Sequence, residues 1–307
     1  MTEDLKKNKG FLSSPLGAGG LKVLVTVLCL WYVSQKIDWS LTWQLLERSS
    51  KWWLILAASL FTLSKIVSSY RLNIYFKNIS VDLTQVENLK LYWLGMFYNL
   101  FLPGGIGGDA YKVILLNRQQ KHPVKKLTAA VLLDRISGVA GVGILLALYY
   151  FLIYRGGQYS YLVLAAIVPG LLVYYIIVKK FFPSFVLSFW STLWLGFLVQ
   201  VLQVLCVYCL MSSIQISASS NQYVFLFLLS SIVAILPFTI GGLGAREVVF
   251  LWGSQQFNLD THHSIYISIL FYLITLLISL VGIKWVYEKP LQTSLKGEAK
   301  KKIKIEK

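Results

Sequence analysis

Six apolar stretches of roughly bilayer length fix what this chain can fold into: Leu21–Lys36, Trp52–Tyr70, Leu127–Tyr154, Tyr161–Val178, Phe185–Met211 and Ser264–Tyr287. A hydrocarbon core about 30 Å thick takes about 20 helical residues to cross, and a helix satisfies every backbone polar group without water. With 56% hydrophobic residues and a mean hydropathy of +0.64, the chain reads as an all-α polytopic membrane protein. Trp31, Trp39, Trp43, Trp52, Trp53 and Trp285 fall near the expected span ends, where aromatic belts form.

Charge orients these spans. The formal charge is +16, and its excess collects in the two tails and in alternate loops: Lys6, Lys7 and Lys9; Arg71, Lys77 and Lys90; Arg118, Lys121, Lys125 and Lys126; Lys179 and Lys180; then the lysine-rich end. Such loops face the cytoplasm, so both termini are expected there, and the basic balance needs no nucleic acid to explain it. The mixed segment 37–51, with Trp39, Trp43, Leu45 and Leu46, suggests an amphipathic helix lying in the opposite interface. No small-residue cleavage site follows the first apolar run, which reads as a retained span. The division is a basic tail (1–17), a membrane domain (18–288, repeats about 18–155 and 156–288) and a lysine-rich tail (289–307).

Two further apolar segments differ from these spans. Leu102-Pro103-Gly104-Gly105-Ile106-Gly107-Gly108 and Leu236-Pro237-Phe238-Thr239-Ile240-Gly241-Gly242 share Leu-Pro-x-x-Ile-Gly-Gly 134 positions apart, with Lys112 and Arg246 at matching distance beyond, and Gly244 follows the second copy. Each is preceded by a capping-box pattern, Thr84-x-x-Glu87 or Ser219-x-x-Gln222. The 13 residues Leu89–Phe101 reach only about 20 Å as helix, and proline and glycine then allow a sharp turn. Two re-entrant helical hairpins are expected, with two kinked full spans, eight in all, as the alternative. Three full spans per half invert the second repeat, so the two glycine turns can meet near the midplane, where many secondary transporters build a site. Glycines that merely permit close helix packing are the competing explanation.

Ionisable residues inside the membrane are expensive and face a cavity or a partner. Asp109 and Lys112 follow the first turn, Arg246 and Glu247 the second, and Asp134-Arg135 lies within the third span. Lys65 and Arg71, near the end of the second span, are expected to snorkel to the interface, with Arg71 also a candidate at the gate. Arginine suits phosphate because its planar fork donates two hydrogen bonds, which makes Arg135 and Arg246 the candidate headgroup ligands. Free amides at the start of each returning half-helix would add to them. Asp109, Asp134 and Glu247 keep these cations paired or carry a coupling proton. A structural salt-bridge cluster would account for the same residues. Asp109 occupies a helix start where an anion would sit, so its expected role is to orient a basic partner.

No cofactor or metal is implied. Gly104 to Lys112 lacks the Gly-Lys-Ser/Thr ending of a nucleotide loop, and His122, His262 and His263 fall in predicted loops without a partner set. Cys206 and Cys209 share a helix face and read as buried small residues.

The runs Leu102 to Lys112, Leu133-Asp134-Arg135-Ile136-Ser137-Gly138 and Pro237 to Glu247 together resemble the lysylphosphatidylglycerol synthase transmembrane region family, the flippase portion of the bacterial multiple peptide resistance factor and its stand-alone relatives. The likeness covers about residues 18 to 288. It implies a domain of the bacterial inner membrane that moves lipids between leaflets, with a phospholipid or lipid-linked phosphate as substrate, the bilayer as surroundings and a separate lipid-synthesis enzyme as a partner. The aminoacyltransferase domain of the larger proteins has no counterpart after Glu288, so aminoacyl transfer is not expected. Lys112 stands where the family pattern has arginine, which keeps the charge and loses the fork. A membrane transferase using Asp109, Asp134 or Glu247 as acid or base, and a scaffold for lipid-synthesis enzymes, are the alternative readings.

Overall fold

The computed structural model describes residues 39–101, 107–235 and 242–287, together with Val27, Leu28, Trp31, Tyr32, Ser34, Gln35 and Thr239. Most of the expected first span, both tails, and the turn residues Pro103, Gly104, Gly105, Pro237 and Gly241 lie outside the described residues.

All regular structure among the described residues is helical. The elements are α1 (Trp39–Arg48), α2 (Lys51–Lys77), α3 (Gln85–Phe101), α4 (Gly107–Gln120), α5 (Val124–Ile153), α6 (Ser160–Ala165), α7 (Ile167–Phe181), α8 (Phe189–Ser213), α9 (Ser220–Ile235), α10 (Ala245–Gln256), α11 (Thr261–Leu280) and α12 (Lys284–Tyr287). Five helical stretches are long and apolar enough to cross a bilayer: Lys51–Lys77, Val124–Ile153, Ser160–Phe181, Pro183–Ser213 and Thr261–Val286. They coincide with five of the six spans expected from sequence, so this is a multi-pass membrane protein. The stretch Ser160–Phe181 breaks between α6 and α7 because Pro169 has no amide to give Ala165 and its ring crowds that carbonyl.

Helices α2 and α8 form the most extensive packed pair. They run antiparallel: the Ser50 amide donates to the Ser213 carbonyl at 2.9 Å at one end, and the Asn78 and Ser188 side chains are bonded at the other. Around this pair sit two apolar cores. One gathers Phe61, Val142 and Leu210 with α9, α10 and α11; the other gathers Leu72, Phe76, Leu133 and Phe189 with residues of α3 and α4. Short α1 turns Leu45 and Leu46 toward the first core and leaves Trp43 exposed, as an interfacial helix would.

The two segments flanking the Leu-Pro-x-x-Ile-Gly-Gly copies are each a pair of short antiparallel helices. At 17 and 14 residues, α3 and α4 extend about 26 and 21 Å, short of the hydrocarbon core. They fold back on each other: the Tyr98 and Tyr111 rings lie 4.6 Å apart, and the Gly108 amide donates to Asn99 Oδ1 at 2.9 Å. In the second pair, Gly253 of α10 faces Leu226 of α9, and the Phe225 and Phe257 rings lie 6.0 Å apart. Gly242 and Gly244 hold φ of 85° and 84°, a left-handed geometry that keeps the chain turning into α10.

Of the two expected capping boxes, one forms. Glu87 Oε2 accepts the Thr84 amide at 3.0 Å, and Thr84 Oγ1 accepts the Glu87 amide at 3.2 Å. Ser219 instead sits at φ 56°, outside the extended region a capping residue needs, and the Gln222 amide donates to its backbone carbonyl.

Gly95 and Gly108 let α3 and α4 touch backbone to backbone: a Cβ on Gly108 would fall on the Gly95 main chain, which cannot swing aside. Gly108→Val is expected to destabilise the protein by about 1–3 kcal/mol, a fall of roughly 3–10 °C in Tm for a chain of this size. Gly143→Ala, whose Cβ would meet nothing within 4 Å, serves as the control and should not lower Tm. Thermal unfolding in detergent checks both.

Candidate functional site

The long helices carry polar residues near their midpoints. These are Ser64, Lys65 and Ser68 on α2, Asp134, Arg135 and Ser137 on α5, and Gln200 and Gln203 on α8. Polar side chains that deep in apolar helices are retained only where they meet one another or a cavity. Here they do both. A cavity of about 270 Å³ is lined by Arg71, Asp134, Arg135, Gln200 and Gln203 from the long helices, by Tyr92, Asn99, Asp109 and Lys112 from the first hairpin, and by Ser231 and Arg246 from the second. An adjoining chamber of about 270 Å³ shares Tyr92, Asn99, Arg135, Ser231 and Arg246 and adds Lys65, Thr239 and Gly242.

Its charges fall into two sets. In the first, cations are paired. Arg71 Nε donates to Asp134 Oδ1 at 2.8 Å with both side chains buried, while Asp109 accepts from Lys112 at 3.0 Å and from Arg135 at 2.5 Å. In the second, among the described residues, no carboxylate lies within ion-pair distance of Arg246 or Lys65. The Arg246 guanidinium stacks over Phe271 at 5.1 Å, and Lys65 Nζ lies over Phe61 at 4.5 Å. Aromatic faces stabilise a cation without neutralising it. Among the described residues, Arg71 Nη1, Gln200 Oε1 and Thr239 Oγ1 are buried polar atoms at this site with no hydrogen-bond partner.

The structure thus brings Asp109, Lys112, Asp134, Arg135, Arg71 and Arg246 to one cavity, with Gly242 in the wall of the adjoining chamber. Three sequence-based expectations require correction. Arg71 does not snorkel: α2 continues to Lys77, and the side chain is buried at 4% exposure against Asp134. Lys65 likewise turns inward to the chamber. Glu247 does not pair with Arg246, because adjacent residues on a helix point apart; its two oxygens accept the Gly244 amide at 2.7 Å and the Ser268 hydroxyl at 2.9 Å. Of the amides at the starts of the returning helices, that of Gly108 is taken by Asn99, and that of Gly244, the residue before α10, by Glu247.

Tyr92, Asn99, Gln200, Gln203 and Thr239 were not legible as site residues, because they carry no charge to mark them. Only the glutamine pair at i, i+3 in an otherwise apolar span offered a signal.

A family model described as the lysylphosphatidylglycerol synthase TM region matches residues 20–282. The chain belongs to that family. Every cavity residue falls inside the matched region, so the charged chamber is part of the family domain. A UPF0104 membrane protein of Pyrococcus horikoshii is 25% identical over 130 residues, which make up 42% of this chain and 38% of that protein. The match therefore spans well under half of that relative's length.

Proposed function

We propose that this member of the lysylphosphatidylglycerol synthase TM region family is a lipid transporter of the bacterial inner membrane that passes a phosphate-bearing headgroup through the cavity between its two hairpins. It does no covalent chemistry. On this reading six spans cross the bilayer, the hairpins are re-entrant, both termini are cytoplasmic, and the two halves are inverted repeats. The helix lengths support re-entrance. Inversion is supported by the antiparallel run of α2 and α8: α3 begins just after the end of α2 and α9 just after the end of α8, so the hairpins enter from opposite ends.

The observation that carries the reading is the charge of the cavity, five cations (Lys65, Arg71, Lys112, Arg135, Arg246) against two carboxylates (Asp109, Asp134). In a low-dielectric setting an unmatched cation holds an anion far more strongly than it would in water. The substrate therefore carries net negative charge at its headgroup. An aminoacylated phosphatidylglycerol, whose lysyl group adds two positive charges to one phosphate, fits this cavity poorly.

Headgroup competition in reconstituted vesicles tests the reading. Unlabelled phosphatidic acid or phosphatidylglycerol is expected to slow movement of a fluorescent phosphatidic acid, and lysylphosphatidylglycerol at equal concentration to have little effect. Stronger competition by the lysyl lipid would overturn the assignment of an anionic substrate.

A further inference from the structure

A second hollow meets the charged cavity from its side. Helices α4 and α5 part to leave a groove of about 350 Å³, within the range of small-ligand sites. Its walls are apolar, with Ala110 and Ile114 from α4 and Thr128 and Leu132 from α5 at the rim; Ile114 and Leu132 are 51% and 45% exposed. In a membrane-spanning chain those exposed faces meet lipid tails. At the inner end of the groove stand Asp109 and Arg135, the same ion pair that lines the central cavity. One pair of side chains thus stands between an apolar slot with an exposed rim and a polar chamber.

From this juxtaposition we infer that the α4/α5 groove is the hydrocarbon-chain site of the transported lipid, holding one acyl or prenyl chain while the phosphate sits at Arg135. The assignment rests on the transport reading given above. The geometry divides the amphiphile at its own chemical boundary: a chain gains by leaving its neighbours only for an apolar slot of similar width, whereas the phosphate needs the cations beyond Arg135. A comparable hollow of about 290 Å³ between α5 and α7, lined by Gly143, Ala147 and Gly170, has no charged residue along it. It offers a chain no place for its headgroup. The groove also accounts for the position of Asp109, which holds Arg135 by its Nε between slot and chamber.

The test uses the full chain in phosphatidylcholine vesicles containing phosphatidic acid with a photoreactive diazirine at the end of one acyl chain. Adducts are expected to concentrate on peptides of α4 and α5 and to fall about tenfold in Ala110→Trp, the loss that displacing two buried methylenes would cause. Gly143→Leu, which fills the other hollow, should leave the pattern unchanged. Ala110→Leu, a smaller filling, guards against misfolding and should give an intermediate loss with unchanged elution and Tm. Adducts spread over all lipid-facing helices in proportion to exposure, or unaffected by Ala110→Trp, would overturn the groove, since they describe annular lipid. If wild-type protein moves no lipid yet labels on α4 and α5, the groove stands and the transport reading fails. If it moves lipid and labels elsewhere, the groove fails and transport stands.

Discussion

Replacing Arg246 with alanine is expected to slow translocation of phosphatidic acid by about 10- to 100-fold and to leave the protein folded. The rate follows from the loss of charge-assisted hydrogen bonds to the headgroup, each worth about 1.5–3 kcal/mol. Folding is spared because no carboxylate is left without a partner: Arg246 rests on Phe271 and Phe227, and its neighbour Glu247 is already engaged with Gly244 and Ser268. Arg246→Lys keeps the charge but not the fork, so an intermediate rate is expected. Initial rates in proteoliposomes, with reconstitution efficiency matched, check the series. Wild-type rates for Arg246→Ala would show that the unmatched cation does not touch the substrate.

The opposite balance is expected at Arg71 and Asp134. Removing either partner leaves a buried charge alone in the middle of the helix bundle, which costs about 3–5 kcal/mol. Arg71→Met and Asp134→Leu should each lower Tm by about 6–20 °C. The double variant should recover most of that, because an apolar pair of similar volume needs no compensation. The cycle is read by thermal unfolding in detergent. Strictly additive losses would mean that the 2.8 Å contact does not couple the two residues. Together the two series separate charges that hold the fold from charges that face the lipid.

The membrane helices were legible because their signal is a one-dimensional sum: about 20 apolar residues are enough, whatever lies beside them. The twin Leu-Pro-x-x-Ile-Gly-Gly marked the two short helix pairs because proline and glycine limit the backbone itself. Side-chain partners were harder. Asp134 and Arg135 are neighbours in sequence, yet they face different sides of α5, one toward Arg71 and the other toward Asp109. Glu247 read as the acid for Arg246, whereas its spacing from Gly244 matched a helix start more closely than an ion pair. Lys65 and Arg71 read as snorkelling because sequence gives depth along a helix and not the face presented to its neighbours. The polar residues of α8 became meaningful only once α5 and the hairpins had closed around Gln200 and Gln203.

The central claim is that this chain carries lipid across the bilayer through the charged cavity, and a leaflet assay tests it most directly. Acyl-labelled fluorescent phosphatidic acid is placed in both leaflets of vesicles holding the purified protein, and a membrane-impermeant reductant is added outside. If the account is right, nearly all the fluorescence in protein-containing vesicles is lost, because inner-leaflet lipid keeps arriving at the outer surface. Bleaching that stops at the outer-leaflet share, as in protein-free vesicles, would contradict it.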